Sequence, residues 1–305
     1  MSDSAPLRLL PFYCGEQAFC VDLTHLRGIE RADGLRFGAD GIWLPGAAED
    51  IPVLDLSATL FPERGPVRSG RVLVFHTGSA PRAMLVERLG QAFVAPQESL
   101  HPMPKAAQGR FAGLRQVAVD REELLLAIDP RISEDNDGST RPDSKDSRLS
   151  NRAPAAGPPR LMTFTSRSSA NALRFGLSLR QVAEILLAPR IFAVPGASDG
   201  LLGLVLWRQR PVPVVHLDAR LSGKAEDAPQ LDRLLVAWTG RRDDAIAFPV
   251  RRDVRIHDLP VAHEPCRQPL ELDTSLAHAV FEMEDRQLVI PNLHRLAAVK
   301  EPTSI

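Results

Sequence analysis

Apolar positions along this chain recur at a period of two over short runs. Phe175, Leu177 and Leu179 alternate with smaller or polar residues, the spacing of a half-buried strand. Val212, Val214, Val215 and Leu217, then Leu234, Leu235 and Val236, form short aliphatic runs bounded by Gly, Pro and Asp, which also read as strands. No stretch sustains a helical heptad, and no strand–helix–strand alternation appears. The pattern predicts an all-β chain, mainly β with short helices. Many short strands with Pro-rich turns suit small closed β-barrels, which remove exposed strand edges. Short helices are expected at 55–60, 217–221 and 292–298.

The strand pattern occurs twice, in the same order. FCVDLTHLRGIE (19–30) matches FGLSLRQVAEIL (175–186), so that Phe19, Val21, Leu23, Leu26 and Ile29 line up with Phe175, Leu177, Leu179, Val182 and Ile185. IPVLDLSATL (51–60) then matches VPVVHLDARL (212–221), and RVLVFHTG (71–78) matches RLLVAWTG (233–240). Each block closes on a strand and a short amphipathic tail, LLLAIDPRI (124–132) and QLVIPNLHRL (287–296). Order kept across four segments implies an internal duplication. Between the blocks, SEDNDGSTRPDSKDSRLSNRAPAAGPPR (133–160) has almost no large apolar residue. Such a stretch cannot bury enough surface to offset its ordering entropy, so a flexible linker is expected there. The expected organisation is a first domain at 1–132, a linker at 133–160 and a second domain at 161–300.

Composition narrows the function classes. With 44% hydrophobic and 25% charged residues among 305, the chain has the balance of a soluble globular protein with room for two domains. Lys plus Arg, at 37, nearly cancels Asp plus Glu, at 38, so a strong nucleic-acid or anionic-membrane binder is not expected. Residues 1–11 carry no basic stretch followed by an apolar core, so no secretory signal is expected. The longest apolar run, 201–207, is far shorter than the roughly 20 residues that span a bilayer. Cys14, Cys20 and Cys266 form an odd, sparse set, read as reduced thiols in a cytoplasmic protein.

The run FGLSLRQVAEILLAPRIFAVPGASDGLLGLVLWRQRPVPVVHLDARL (175–221) resembles the CheW-like family. Val182, Glu184 and Ile185 fill that family's Val-x-Glu-Ile step, Pro195 and Gly196 its Pro-Gly turn, and 203–206 the strand that follows. Leu206, Trp207, Arg208 and Gln209 stand where Asn-Leu-Arg-Gly is usual, and Val212, Pro213, Val214 and Leu217 complete the run. Gln209 replaces a glycine that serves a positive-φ turn, so a reshaped loop is expected. His216 replaces an aspartate that the first block keeps as Asp55. The first block departs further, with Gly28 in place of Glu184 and no arginine in GIWLPGAAEDIPV (41–53). It is read as the same fold with a changed or lost partner surface.

The resemblance implies two CheW-like domains, each a pair of small five-stranded SH3-like β-barrels. It implies a non-catalytic chemotaxis adaptor that couples a chemoreceptor cytoplasmic tip to the regulatory domain of a CheA-like histidine kinase. Such an adaptor works in the cytoplasm at membrane-bound receptor arrays, with no nucleic acid, no membrane insertion and no cofactor. The residues it assigns to partner binding are Val182, Glu184, Ile185, Leu206, Trp207, Arg208, Gln209 and Pro213. Trp beside Arg is also the composition of interface hot spots, although Trp207 alone reads better as a plug in the core. A strand would point Val182 and Glu184 to one face and Ile185 to the other; if Ile185 is core, Glu184 is displayed beside an apolar neighbour.

Alternatives within and beyond signalling are an array- or pilus-pathway scaffold that binds the kinase without receptors, and a β-barrel binder of peptides or nucleic acids. Against the last, an aromatic stacking platform in a basic groove is hard to assemble with a single Tyr13 and balanced charge. No HExxH, Gly-x-Ser-x-Gly or GxxxxGK[ST] motif occurs. His257, His263, Glu264 and Cys266 are the densest potential zinc ligands, but their spacing lacks the second pair of a structural site. Asp22 and Asp55 are not placed together by any pattern. No catalytic or metal-ligating residue is assigned.

Overall fold

A computed structural model describes residues 6–46, 49–76, 81–109, 111, 113–130, 159–165, 173–198, 200–223, 231–240, 244–258, 264–265, 272–283 and 286–298. Nearly all of the expected linker at 133–160, together with His263 and Cys266, lies outside these residues.

The first half contains β1 (Leu7–Cys14), β2 (Gln17–Asp22), β3 (Leu26–Arg31), β4 (Arg36–Gly38), β5 (Gly41–Leu44), β6 (Ile51–Asp55), α1 (Leu56–Leu60), β7 (Arg71–His76), β8 (Pro81–Val86), β9 (Arg88–Leu89), β10 (Phe93–Ala95), β11 (Leu100–Pro102), β12 (Leu114–Asp120) and β13 (Glu123–Ile128). The second contains β14 (Arg160–Thr165), β15 (Arg174–Ser178), β16 (Val182–Leu187), β17 (Ile191–Phe192), β18 (Leu201–Trp207), β19 (Arg210–Val215), α2 (Leu217–Ser222), β20 (Arg233–Trp238), β21 (Ala245–Pro249), β22 (Arg255–Asp258), β23 (Glu264–Pro265), β24 (Ala277–Met283), β25 (Arg286–Pro291) and α3 (Leu293–Leu296).

Each half has two sheets. A framing sheet is made from its first and last strands, in the order β10-β1-β2-β13-β12-β11, with β9 also on β1, and again as β22-β14-β15-β25-β24-β23. The strands between form an inserted sheet, β3-β7-β8-β6-β5-β4 and again β16-β20-β21-β19-β18-β17. Apart from β9, which has no counterpart among the described residues of the second, the two halves therefore repeat strand for strand. Register repeats as well: Phe12 lies opposite Phe19 and Phe164 opposite Phe175, all four fully buried, with ring centroids 5.5 and 5.8 Å apart. Each pair is an aromatic anchor at the centre of its framing sheet.

The all-β class with short helices is as the pattern predicts, but closure into five-stranded barrels is not what the ladders show. The sheets have six or seven strands, and each pairing path ends on two edge strands. Edges are blunted by length and by proline rather than by closure: β17 and β23 have two residues each, and β11 and β23 end on Pro102 and Pro265. Short, proline-bearing edges resist pairing with foreign strands. Two edges escape this protection, the six-residue β3 and β16.

The three α-helices among the described residues start where the sequence places them, each on a side-chain cap. Asp55 accepts from the Ala58 amide at 3.0 Å, and Asn292 from the Arg295 amide at 3.1 Å. His216 does the same work, its Nδ1 accepting from the Ala219 amide at 3.0 Å. The substitution of histidine for aspartate thus preserves the cap, which satisfies an amide the helix itself leaves unpaired.

Candidate functional site

The open edge β16 is where the sequence motif and the surface meet. Its ladder to β20 pairs Val182 with Ala237 and then Glu184 with Val236, so Ala183 is a bulge. An extra residue shifts every later side chain to the other face of the strand. Ala183 and Leu186 pack on the inserted-sheet core, while Ile185 and Leu187 are 37% and 68% exposed. The bulge therefore puts Val182 and Ile185 on one face and Glu184 on the other, against the simple alternation, and Ile185 is not core. Glu184 and Ile185 are both displayed, and Val182 is half-buried against the framing-sheet core.

Across the sheet, β18 and β19 form a hairpin closed by the pair Trp207 and Arg210. The two turn residues, Arg208 and Gln209, have φ of 50° and 59°. Two positive φ values in a two-residue hairpin turn define type I′. Gln209 thus takes the left-handed conformation that glycine would supply, and the tight turn is retained instead of reshaped.

This turn brings three side chains together. Trp207 is 4% exposed, packed with Val205, Val212, Val214, Leu234 and Val236 and edge-on to Trp238 at 5.1 Å. A buried indole N–H needs an acceptor, and Trp207 Nε1 donates to Glu184 Oε2 at 2.8 Å. Arg208 Nη2 donates to the same oxygen at 3.2 Å, and its guanidinium lies 4.6 Å from the Trp207 ring centroid, a cation–π arrangement. The indole hydrogen bond, with a smaller contribution from Arg208, holds the Glu184 carboxyl below its ordinary range despite some opposing desolvation. Glu184 and Arg208 remain open to water, so their pairing sets geometry more than stability. The result is a fixed acid–base pair on a buried aromatic base, beside exposed Ile185 and Leu187.

Not every assigned residue joins this cluster. Pro213 is buried opposite Leu204 in a strand covered on both sides by β18 and β21. Leu206 is partly buried in an apolar cluster shared with the first half. Neither is displayed. His101 of the first half, which sequence reasoning did not single out, lies against the backbone of Gln209; burial and the charge of Arg210 lower its pKa.

The first half keeps the fold but not the cluster. Its bulge falls between Leu26 and Gly28, which makes Gly28 the counterpart of Glu184 and exposed Ile29 that of Ile185. Its strand β5 stops at Leu44 and offers no equivalent of Trp207 or Arg208.

Reactive chemistry does not converge anywhere in the described residues. No group of three or more His, Cys, Asp or Glu there can hold a metal ion. Asp22 caps a 3₁₀ turn, accepting from the Thr24 amide, and Asp55 caps α1. His257 Nε2 lies 3.0 Å from Thr163 Oγ1. Burial pushes the Cys14 and Cys20 thiols up to about 12, which makes them poor nucleophiles.

Comparison with known proteins bears on the second half. Residues 161–301 match the family model of the CheW-like domain. Among solved structures, the chain is similar to the scaffolding protein TtCheW from Thermoanaerobacter tengcongensis, at 18% identity over 48% of this chain and 90% of that one, with a TM-score of 0.38. No curated protein matches the chain.

Proposed function

We propose that this chain, which carries a CheW-like domain over residues 161–301, is a non-catalytic coupling adaptor. In this reading the second half joins a chemoreceptor cytoplasmic tip to the regulatory domain of a CheA-like histidine kinase. The first half, which repeats its topology, is a second CheW-like unit. The domains run from 1–132 and 161–300, with 133–160 as the linker. No described helix is long and apolar enough to cross a membrane, and the adaptor works in the cytoplasm at membrane-bound receptor arrays.

One observation carries the reading. An unprotected strand edge presents Ile185 and Leu187 beside the prearranged Glu184–Arg208 pair, whose rotamers are already fixed by Trp207. Apolar anchors next to an ordered charge pair suit a protein partner, because little side-chain freedom is lost on docking. Weak contacts of this kind become effective when partners are clustered, as local concentration substitutes for affinity.

The test is capture of purified kinase regulatory domain and receptor tip by the full chain and by Glu184→Ala and Arg208→Ala. Each variant is expected to lose capture of at least one partner by roughly ten-fold, a change of about 1.4 kcal/mol. Undiminished capture of both by both variants would discard the site. Capture of the kinase alone by the native chain would favour the array- or pilus-pathway scaffold, a reading the missing cluster in the first half supports.

A further inference from the structure

The apolar core of the first half does not stop at its own boundary. Phe192, Val194 and Leu204 of the second half belong to the same buried cluster as Phe12, Phe19, Met103, Ala107 and Leu114, with Leu206 and Phe111 packed against it. Reciprocally, Ala106 belongs to the second half's cluster with Val215 and Leu217. At the rim, Arg190 Nη1 meets Glu123 Oε1 at 3.0 Å. Gly109 lies so close to the turn at Gly196 that a Cβ on it would collide with the Gly196 carbonyl oxygen. This is a close-packed seam between β11–β12 and β17–β18.

Strand β18 carries the seam on one face and the Glu184 cluster on the other. Leu204 and Leu206 point to the first half, whereas Val205 and Trp207 point into the inserted-sheet core that supports Glu184. His101 of the first half reaches the backbone of Gln209 in the turn itself.

The repeat supplies an internal control. By ladder register, Trp43 and Arg36 of the first half occupy the positions of Leu204 and Phe192. The chemistry there differs. Arg36 is exposed and paired with Asp50 at 3.2 Å, Trp43 is only half-buried, and Leu204 is fully buried. A contact between unlike faces of two copies of one fold is heterologous and would otherwise propagate from chain to chain. Here the second half has an apolar receiving face and the first half has a charged one.

We infer that the first half is a built-in binding partner of the second, filling the β17–β18 flank in cis and holding the turn that carries Arg208. Propagation ends at Arg36, and the chain is a monomer. This stands independently of which protein, if any, docks at Glu184.

The test begins with the full chain carrying a protease site inserted in segment 131–158. After cleavage, the two fragments are expected to co-elute in gel filtration at micromolar concentration with the mass of one intact chain. Gly109→Leu and Phe192→Arg, the latter installing the residue the first half carries at the counterpart position, are expected to weaken fragment association at least ten-fold. Hydrogen exchange at 208–210 should quicken in both uncut variants. Circular dichroism of the uncut variants checks that both remain folded; if one unfolds, the other decides. Separation of the native fragments would overturn the inference, as would an uncut native chain that elutes as a dimer or larger. Variants that associate like the native protein, or unchanged exchange at 208–210, would equally count against it.

Discussion

Replacing Gln209 by glycine should stabilise the second half. Gln209 sits at φ 59° in an exposed turn, where its side chain packs on nothing that glycine would forfeit in the core. A left-handed conformation costs a residue with a Cβ about 1–2 kcal/mol. Glycine removes that strain but brings back about 0.5–1 kcal/mol of unfolded-chain entropy. The net gain is about 0.5–1 kcal/mol, which for a domain of this size raises the melting temperature by about 2–4 °C. The His101 contact goes to the backbone of Gln209 and survives the change. Scanning calorimetry of Gln209→Gly, Gln209→Asn and Gln209→Val resolves the argument, because only the turn conformation predicts their order. Glycine should melt highest, asparagine next, since it tolerates the left-handed region, and β-branched valine below the native protein. Valine matching glycine would mean that position 209 is not left-handed, and the type I′ turn would have to be abandoned.

Other expected outcomes follow from single contacts. His216→Ala should lower stability by about 1 kcal/mol through loss of the α2 cap, while His216→Asp should match the native protein in urea denaturation; equal loss in both would deny the capping role. Ile185→Ser and Leu187→Ser should change stability by no more than about 0.5 kcal/mol, since both side chains are exposed, yet should reduce partner capture; a large drop in stability would show that they are core. The Glu184 carboxyl is held below its ordinary value of 4.5, chiefly by the Trp207 indole. A depressed carboxylate contributes its full stability above the unfolded value and loses it as pH falls through the lower folded value. The Trp207 indole N–H resonance should accordingly titrate with a midpoint below 4.5, and a midpoint at or above it would contradict the hydrogen bond.

Much of the fold was legible because the same physics was written twice. Phe19 and Phe175 align in sequence and occupy the same register beside Phe12 and Phe164. All three helices begin at the residues whose side chains cap them. The candidate site was read less well, for local reasons. Strict alternation put Val182 and Glu184 on one face, but a bulge between them separates the two, and nothing in VAEIL marks a bulge. Pro213 was carried along by its motif although its strand lies inside the sheet. The seam was invisible because it joins residues far apart in sequence, and a short apolar strand has the same pattern whether it packs on its own half or on another.

The difference between the halves reduces to one hairpin and one position. In the second half, a two-residue turn lets β18 run on to Trp207, whose indole must find an acceptor, and Glu184 supplies it from β16. In the first half, β5 ends at Leu44, the counterpart of Val205, and a longer loop leads to Ile51. With no indole at that site, a glutamate at position 28 would have no buried donor to satisfy, and Gly28 still takes its place opposite Val74 on β7. The two changes remove opposite ends of a single hydrogen bond, so each makes the other tolerable. The absence of the cluster from the first half is therefore a local difference within a shared sheet order. Restoring it would require both ends at once: glutamate at position 28 alone would add a charge to an exposed edge without ordering it.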